Sequence, residues 1–283
     1  MLILRRVAVS LLLVPLAACD RRPAPSIAAG GDSAIVIQAM PFRTLAAVES
    51  YRGDARIIVL AQVADSGGLG ADAFRPPEGD LSRFGRAHPL TLLEAGRPAG
   101  RVVAGERQPT CGGDSSAEVL GGASAPEEWS ALATDRPVPP GPPLRRPPTP
   151  AERAAMEALL RETIQAYDTV RWVDAPRKRI DAVAMPDGGT ALVGSSWPEW
   201  THGTPVAWGA FIVAERVDGR WQPVLTVTGD SDEAYYTALF DVVDLDGDGI
   251  PELVTSNLGQ YPLYQVIQRR ADQWEILWGG PGC

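Results

Sequence analysis

The sequence predicts a mainly β protein, built of antiparallel sheets with one linking α-helix. Three observations carry that expectation. Short runs rich in strand formers, at 34–38, 56–63, 90–94, 101–104 and 117–120, are separated by glycine-rich breaks such as Ser66-Gly67-Gly68-Leu69-Gly70. A single stretch, 149 to about 168, combines helical spacing with a capping signal. Finally, residues 211–225 align with 264–278, placing Trp221 on Trp274 and Arg216 on Arg269 at a shift of 53. Upstream, Asp187-Gly188 and Leu192-Val193 fall on Asp248-Gly249 and Leu253-Val254 at a shift of 61. Residues 178–225 and 239–278 therefore read as two copies of a four-strand unit. Two copies are too few for an ordinary propeller, so a partial propeller or a compact sandwich is expected.

The chain has 283 residues, 45% of them hydrophobic, enough for one large or two ordinary domains. Its formal charge of −9 argues against a nucleic-acid partner, whose footprint would be basic. Two histidines, His88 and His202, exclude a multi-histidine metal centre.

The N-terminus reads as an address. Arg5 and Arg6 precede an apolar run from 7 to 17, long enough for a secretory signal and too short to span a bilayer. Leu16-Ala17-Ala18-Cys19 follows. This combination resembles the lipobox of bacterial lipoproteins. The resemblance implies cleavage after residue 18, acylation of Cys19, and a protein held by lipid in the cell envelope, on its periplasmic or extracellular face. The remaining chain would carry 24 bases against 35 acids, a net charge of −11. Its two cysteines, Cys111 and Cys283, read as a disulfide in an oxidising compartment. Residues 19–33 are small, polar and rich in Pro and Gly, as suits a flexible tether.

Residues 34–136 read as an N-terminal β-rich region, with a short helix possible at 41–51 and an irregular polar loop from 65 to 87. Eight prolines between 137 and 150 read as a semi-rigid spacer unable to join a sheet. The helix starts directly after it. Thr149 is the N-cap, Pro150 occupies the first helical position and Glu152 completes a capping box. Met156, Leu159, Leu160, Ile164 and Tyr167 form one apolar stripe, placing a helix against a sheet in a domain covering 151–283.

The sharpest chemical motif is Asp244-Leu-Asp246-Gly-Asp248-Gly-Ile250-Pro-Glu252. Carboxylates fall at loop positions 1, 3, 5 and 9, a glycine at 6, and at 7 a residue able to offer its carbonyl. Calcium takes six to eight hard oxygen ligands, and a tight loop turning alternate side chains inward supplies them. Two carboxylates about 4 Å apart repel by about 4 kcal/mol at an effective dielectric of 20, so the cluster argues for a cation. The loop is no EF-hand. Position 12 is Thr255, and the flanks, 237–243 and 253–255, are strand formers. The pattern resembles the FG-GAP and VCBS-type repeats, whose Asp-rich calcium loops lie between strands of propeller blades. That resemblance implies Ca²⁺ held by Asp244, Asp246, Asp248 and Glu252 through side chains and by Ile250 through its carbonyl. Glu252 departs from it, standing where that family usually has Asp. In the first copy the corresponding positions hold Val183, Met185, Asp187 and Ala191, so one ion is expected rather than two. Between Trp221 and Gln268 lie eight acids and no Lys or Arg, which concentrates negative field around the loop.

Trp197, Trp200 and His202 lie in one Gly- and Pro-punctuated stretch able to contact a glycan or a partner protein. No catalytic constellation is visible. The leading expectation is a lipid-anchored binding or scaffold module with one structural calcium. An extracytoplasmic hydrolase and a glycan-binding protein are the alternatives.

Overall fold

A computed structural model describes residues 42–51, 54–64, 74–75, 89–107, 115–120, 128–167, 177–197, 209–229, 237–257, 263–271 and 273–281. Cys19, Cys111, Cys283, Trp200 and His202 lie outside them, as do the signal, the tether and the strand expected at 34–38. Residues Ala39–Cys283 form one compact unit. Among the described residues no helix is long and apolar enough to cross a membrane.

The first sheet contains β1 (Phe42–Tyr51), β2 (Asp54–Ala64), β3 (Phe74–Arg75), β4 (Pro89–Glu94), β5 (Arg97–Arg107), β6 (Ser115–Leu120) and β7 (Glu128–Thr134). Its strand order is β1-β7-β4-β5-β6-β2-β3, and β1 also pairs with β2, so the ladder returns to its start. Three of its seams are short: β4 meets β7 over three residue pairs, and β2 meets β6 and β3 over two each. The helix expected at 41–51 is instead β1. Its alternation decides this: Leu45 and Ala47 enter one apolar cluster, Ala46 and Val48 another on the opposite face. A helix would have placed Leu45 and Val48 on one side. Within the stretch read as a loop, Phe74–Arg75 pairs with β2.

The proline stretch does join a sheet. Arg145–Arg146 forms β8 and pairs with Val183 and Ala182. Leu144 donates its N–H to the Ala95 carbonyl at 2.8 Å and accepts from Ala184 N–H at 2.7 Å. Arg97 adds side-chain hydrogen bonds to the carbonyls of Pro139 and Pro142, at 3.3 and 2.6 Å. Prolines lack N–H groups, but the non-proline residues at 144–146 retain theirs, and sheet pairing resumes there.

Helix α1 (Pro150–Tyr167) follows, with the expected capping box closed. Glu152 N–H donates to Thr149 Oγ1 at 3.3 Å, and Thr149 N–H donates to Glu152 Oε2 at 2.7 Å. Arg146 adds a two-pronged contact to the Glu152 carboxylate, at 2.7 and 2.8 Å. Met156, Leu160 and Ile164 are buried from the apolar stripe. Each such side chain contributes about 1.5–3 kcal/mol on burial.

Two four-strand antiparallel meanders complete the fold. The first is β9 (Arg177–Ala184), β10 (Thr190–Trp197), β11 (Gly209–Val217) and β12 (Arg220–Gly229), with β8 added at the β9 edge. The second is β13 (Thr237–Val243), β14 (Glu252–Asn257), β15 (Leu263–Arg270) and β16 (Gln273–Pro281). The layers stack in order: helix, first meander, second meander, first sheet. Ile180, Ala182, Leu192 and Ile212 face the helix, while Val183, Val193, Phe211 and Val213 face Leu239, Val242, Leu253 and Ile267 of the second meander. On its other face the second meander turns Val243, Leu245, Val254, Tyr264 and Val266 toward the first sheet. The inner strands of both meanders are therefore buried on both faces, which is why strands such as 210–214 are apolar at consecutive positions, while β12 at the outer edge has no fully buried residue. Gly194 marks the tightest seam: a Cβ there would lie 2.5 Å from Met156 Sδ and 3.3 Å from Leu160 Cδ1.

The two meanders correspond closely. Arg216 faces Trp221 and Arg269 faces Trp274 in the same register, and each hairpin has a bulge just before the second residue upstream of the Arg, at Val213/Ala214 and Val266/Ile267. Val183 opposes Ala191 where Val243 opposes Glu252. This pairing corrects one sequence equivalence. Val183 matches Val243, so the residue standing for Asp244 is the exposed Ala184, and the chain from Val183 to Ala191 is one residue shorter than that from Val243 to Glu252.

Candidate metal site

The acidic motif forms the connection from β13 to β14, the strand-to-strand setting its flanks predict. Val243 and Glu252 close the ladder at its base. Above them the backbone turns twice through the left-handed region, at Gly247 (φ 79°) and Gly249 (φ 87°), conformations that side chains with a Cβ resist.

The aspartates fold the loop by accepting its own amides. Asp244 takes the N–H of Gly247 at 2.7 Å on one oxygen and of Gly249 at 3.2 Å on the other. Asp246 accepts from Asp248 N–H at 3.2 Å, and Asp248 from Ile250 N–H at 2.6 Å. These short-range bonds are the usual reason Asp and Gly share such turns.

Asp244, Asp246 and Glu252 each bring one carboxylate oxygen to within 4.8 Å of the others. This triad could hold a metal ion. Asp248, expected as a fourth carboxylate, is exposed and is not among the three. Ile250 is half-buried, with its side chain against the core shared by the meanders. Glu252 is the unusual member, because it has no exposed surface. It accepts from Leu245 N–H at 2.6 Å and from Gln268 Nε2 at 3.2 Å. Burial pushes its carboxyl well above the ordinary range, and the charges of Asp246, Asp244 and Asp248 push the same way against the Leu245 amide. Asp248 is also raised: although exposed, it loses part of its hydration against the loop, and Asp246 and Asp244 add repulsion, against the Ile250 amide.

Sequence reasoning missed Gln268. Its Nε2 bridges Asp246 at 3.1 Å and Glu252 at 3.2 Å, while its Oε1 accepts from Arg270 Nε at 3.1 Å. The signal was present: Tyr264, Val266 and Gln268 alternate along β15, and the first two are buried apolar residues. A glutamine continuing an apolar face is there for a polar partner.

No family model matches the chain, nor does any curated protein or solved structure. The site is therefore read from its own chemistry.

The matching place in the first meander is built differently. Ala191 is buried where Glu252 stands. The turn closes through Gly188 N–H to the Met185 carbonyl at 3.1 Å, with Asp187 accepting from Gly189 N–H at 2.8 Å. Glu215, matching Gln268 at the shift of 53, turns to the second meander, where it accepts from Arg269 Nε and Trp274 Nε1 at 2.8 and 2.7 Å. Of the tryptophan stretch, Trp197 ends β10, half-buried and opposite Arg177.

Proposed function

We propose that this protein is a lipid-anchored component of a bacterial cell envelope that uses the acidic loop to bind one structural Ca²⁺, and that it acts as a binding or scaffold module. The observation that carries the reading is Glu252: a fully buried carboxylate set beside two others, with neutral amide donors as its hydrogen-bond partners. A buried anion cluster of this kind costs free energy that a hard divalent cation offsets. The donor set fits such an ion, since carboxylate oxygens suit calcium and soft ligands are missing from the triad. Asp244, Asp246 and Glu252 would hold the ion, with Asp248 and the Ile250 carbonyl as further oxygens from the same loop.

Bound there, the ion would supply positive charge and cross-link the loop to β14. The residues do the rest. Asp244 holds the turn through Gly247 and Gly249, and Gln268 keeps Asp246 and Glu252 oriented together. The front-to-back order of the meanders, with one face of the first against the opposite face of the second, supports kinship with blades of the FG-GAP type.

Anchoring rests on Leu16-Ala17-Ala18-Cys19. It is tested in a bacterial host by metabolic labelling with a fatty-acid analogue. The wild-type chain should carry label and sediment with membranes, and Cys19→Ser should do neither. Equal labelling of both would overturn the anchor. For the ion, chelator should lower the melting temperature of the wild-type protein and leave Asp246→Ala unmoved.

A further inference from the structure

Asp241, three residues before the acidic loop, is a buried ionisable group with a separate setting. It lies at the bulge of β13 and is only 3% exposed. Three parts of the fold meet on it. From the first sheet, the β4–β5 turn brings the Gly96 N–H to its carboxylate, joined by Val242 N–H of its own strand. From the proline strap (residues 137–146), Arg145 places Nε 3.3 Å from Oδ1. From β9, Asp181 lies 3.9 Å from the Arg145 guanidinium and is itself 3.3 Å from Arg179 Nε.

The fit is close but incomplete. A Cβ at Gly96 would lie 2.7 Å from Leu144 Cδ1 and 3.1 Å from the Val242 carbonyl, so turn, strap and strand leave no room between them. Yet Asp241 Oδ1 has no hydrogen-bond partner among the described residues. Arg145 is near enough to attract it but badly aimed to bond it, and its own Nη1 is directed to the Phe240 carbonyl at 3.4 Å. An ionised carboxylate with one unbonded oxygen in a dry site is costly, and a neutral acid much less so.

We propose that Asp241 is a proton-operated fastener: as a neutral acid it keeps the strap and the β4–β5 turn closed on β13, and as a carboxylate it loosens them. The proton comes from solvent and returns to it.

The direction follows from linkage. Burial, outweighing Arg145, the Val242 and Gly96 amides and Arg179, raises the Asp241 carboxyl from 3.8 to about 6. The closed junction therefore holds a proton that an opened, hydrated one releases. Its advantage is fully present below about 4 and is lost as pH rises through 6. Between pH 5 and 7.5 the ratio of closed to open junction should fall about tenfold.

The reporters are the Leu144 and Ala184 amides, which bond across the strap to Ala95 and Leu144. Their hydrogen-exchange protection, corrected for the intrinsic pH dependence of exchange, should fall about tenfold from pH 5 to 7.5 in the full chain. In Asp241→Asn, which keeps the shape and never ionises, it should stay level. A level profile in the wild type, or the same slope in both proteins, overturns the proposal. A carbon-13 titration of the Asp241 carboxyl checks it without any variant: a midpoint near 6 is expected, and one below 5 overturns it.

Discussion

The two meanders share strand order, hairpin register and bulge position, and they differ most in what stands at one ladder position. In the first meander Ala191 opposes Val183, and the turn beyond is short and bonded mainly through its backbone. In the second, Glu252 opposes Val243, and a loop of aspartates folds over it. Equivalent frames thus support an apolar plug in one case and a buried carboxylate in the other. The frame does not make the candidate site; the loop does, through the Leu245 amide that Glu252 accepts and the aspartates set beside it.

The largest test of this comparison moves the carboxylate alone. Ala191→Glu would bury a charge that the five-residue turn at 185–189 cannot serve. It should destabilise the fold by about 3–5 kcal/mol, as an uncompensated buried charge does, and calcium should not restore the loss. Denaturant unfolding with and without millimolar Ca²⁺ checks both points. Recovery of stability in calcium would mean that the frame, not the loop, defines the site.

Next in size is the packing of the meanders' neighbours. Gly194 meets the helix so closely that Gly194→Val should cost about 1–3 kcal/mol by overpacking against Met156. Its counterpart at the shift of 61 is Thr255, which is buried with a hydroxyl lacking a hydrogen-bond partner among the described residues. Thr255→Val keeps the shape and removes that hydroxyl, so it should gain up to about 1 kcal/mol. Opposite signs at matched positions, read from thermal unfolding in chelator, would sharpen the comparison; loss at both would break it.

The sequence made several of these features readable because their causes are local. The capping box of Thr149 and Glu152 needs only a spacing of three, and the acidic loop announces itself within nine residues. The shared Arg-Trp register at 216/221 and 269/274 shows as plain identity. What failed depended on distant partners. Residues 42–51 have weak helical character, and only β2 and β7 on either side make them a strand. Arg145 and Arg146 joined a sheet because β9 offered an open edge, which no reading of a proline-rich stretch reveals. Gln268 is sixteen residues from Glu252 in sequence and joins it through strand pairing. Asp241 had been one of eight acids in a charged stretch, and its burial comes from Gly96 and Arg145 across the fold.

On the proposed reading the second meander holds one calcium and the first holds none. Calorimetric titration of the protein with Ca²⁺ tests it most directly. A single ion per chain is expected in the wild type and none in Asp246→Ala, with wild-type stabilisation of about 2.7 kcal/mol at a hundred times Kd. Absence of binding at millimolar Ca²⁺, or two ions per chain, would contradict it.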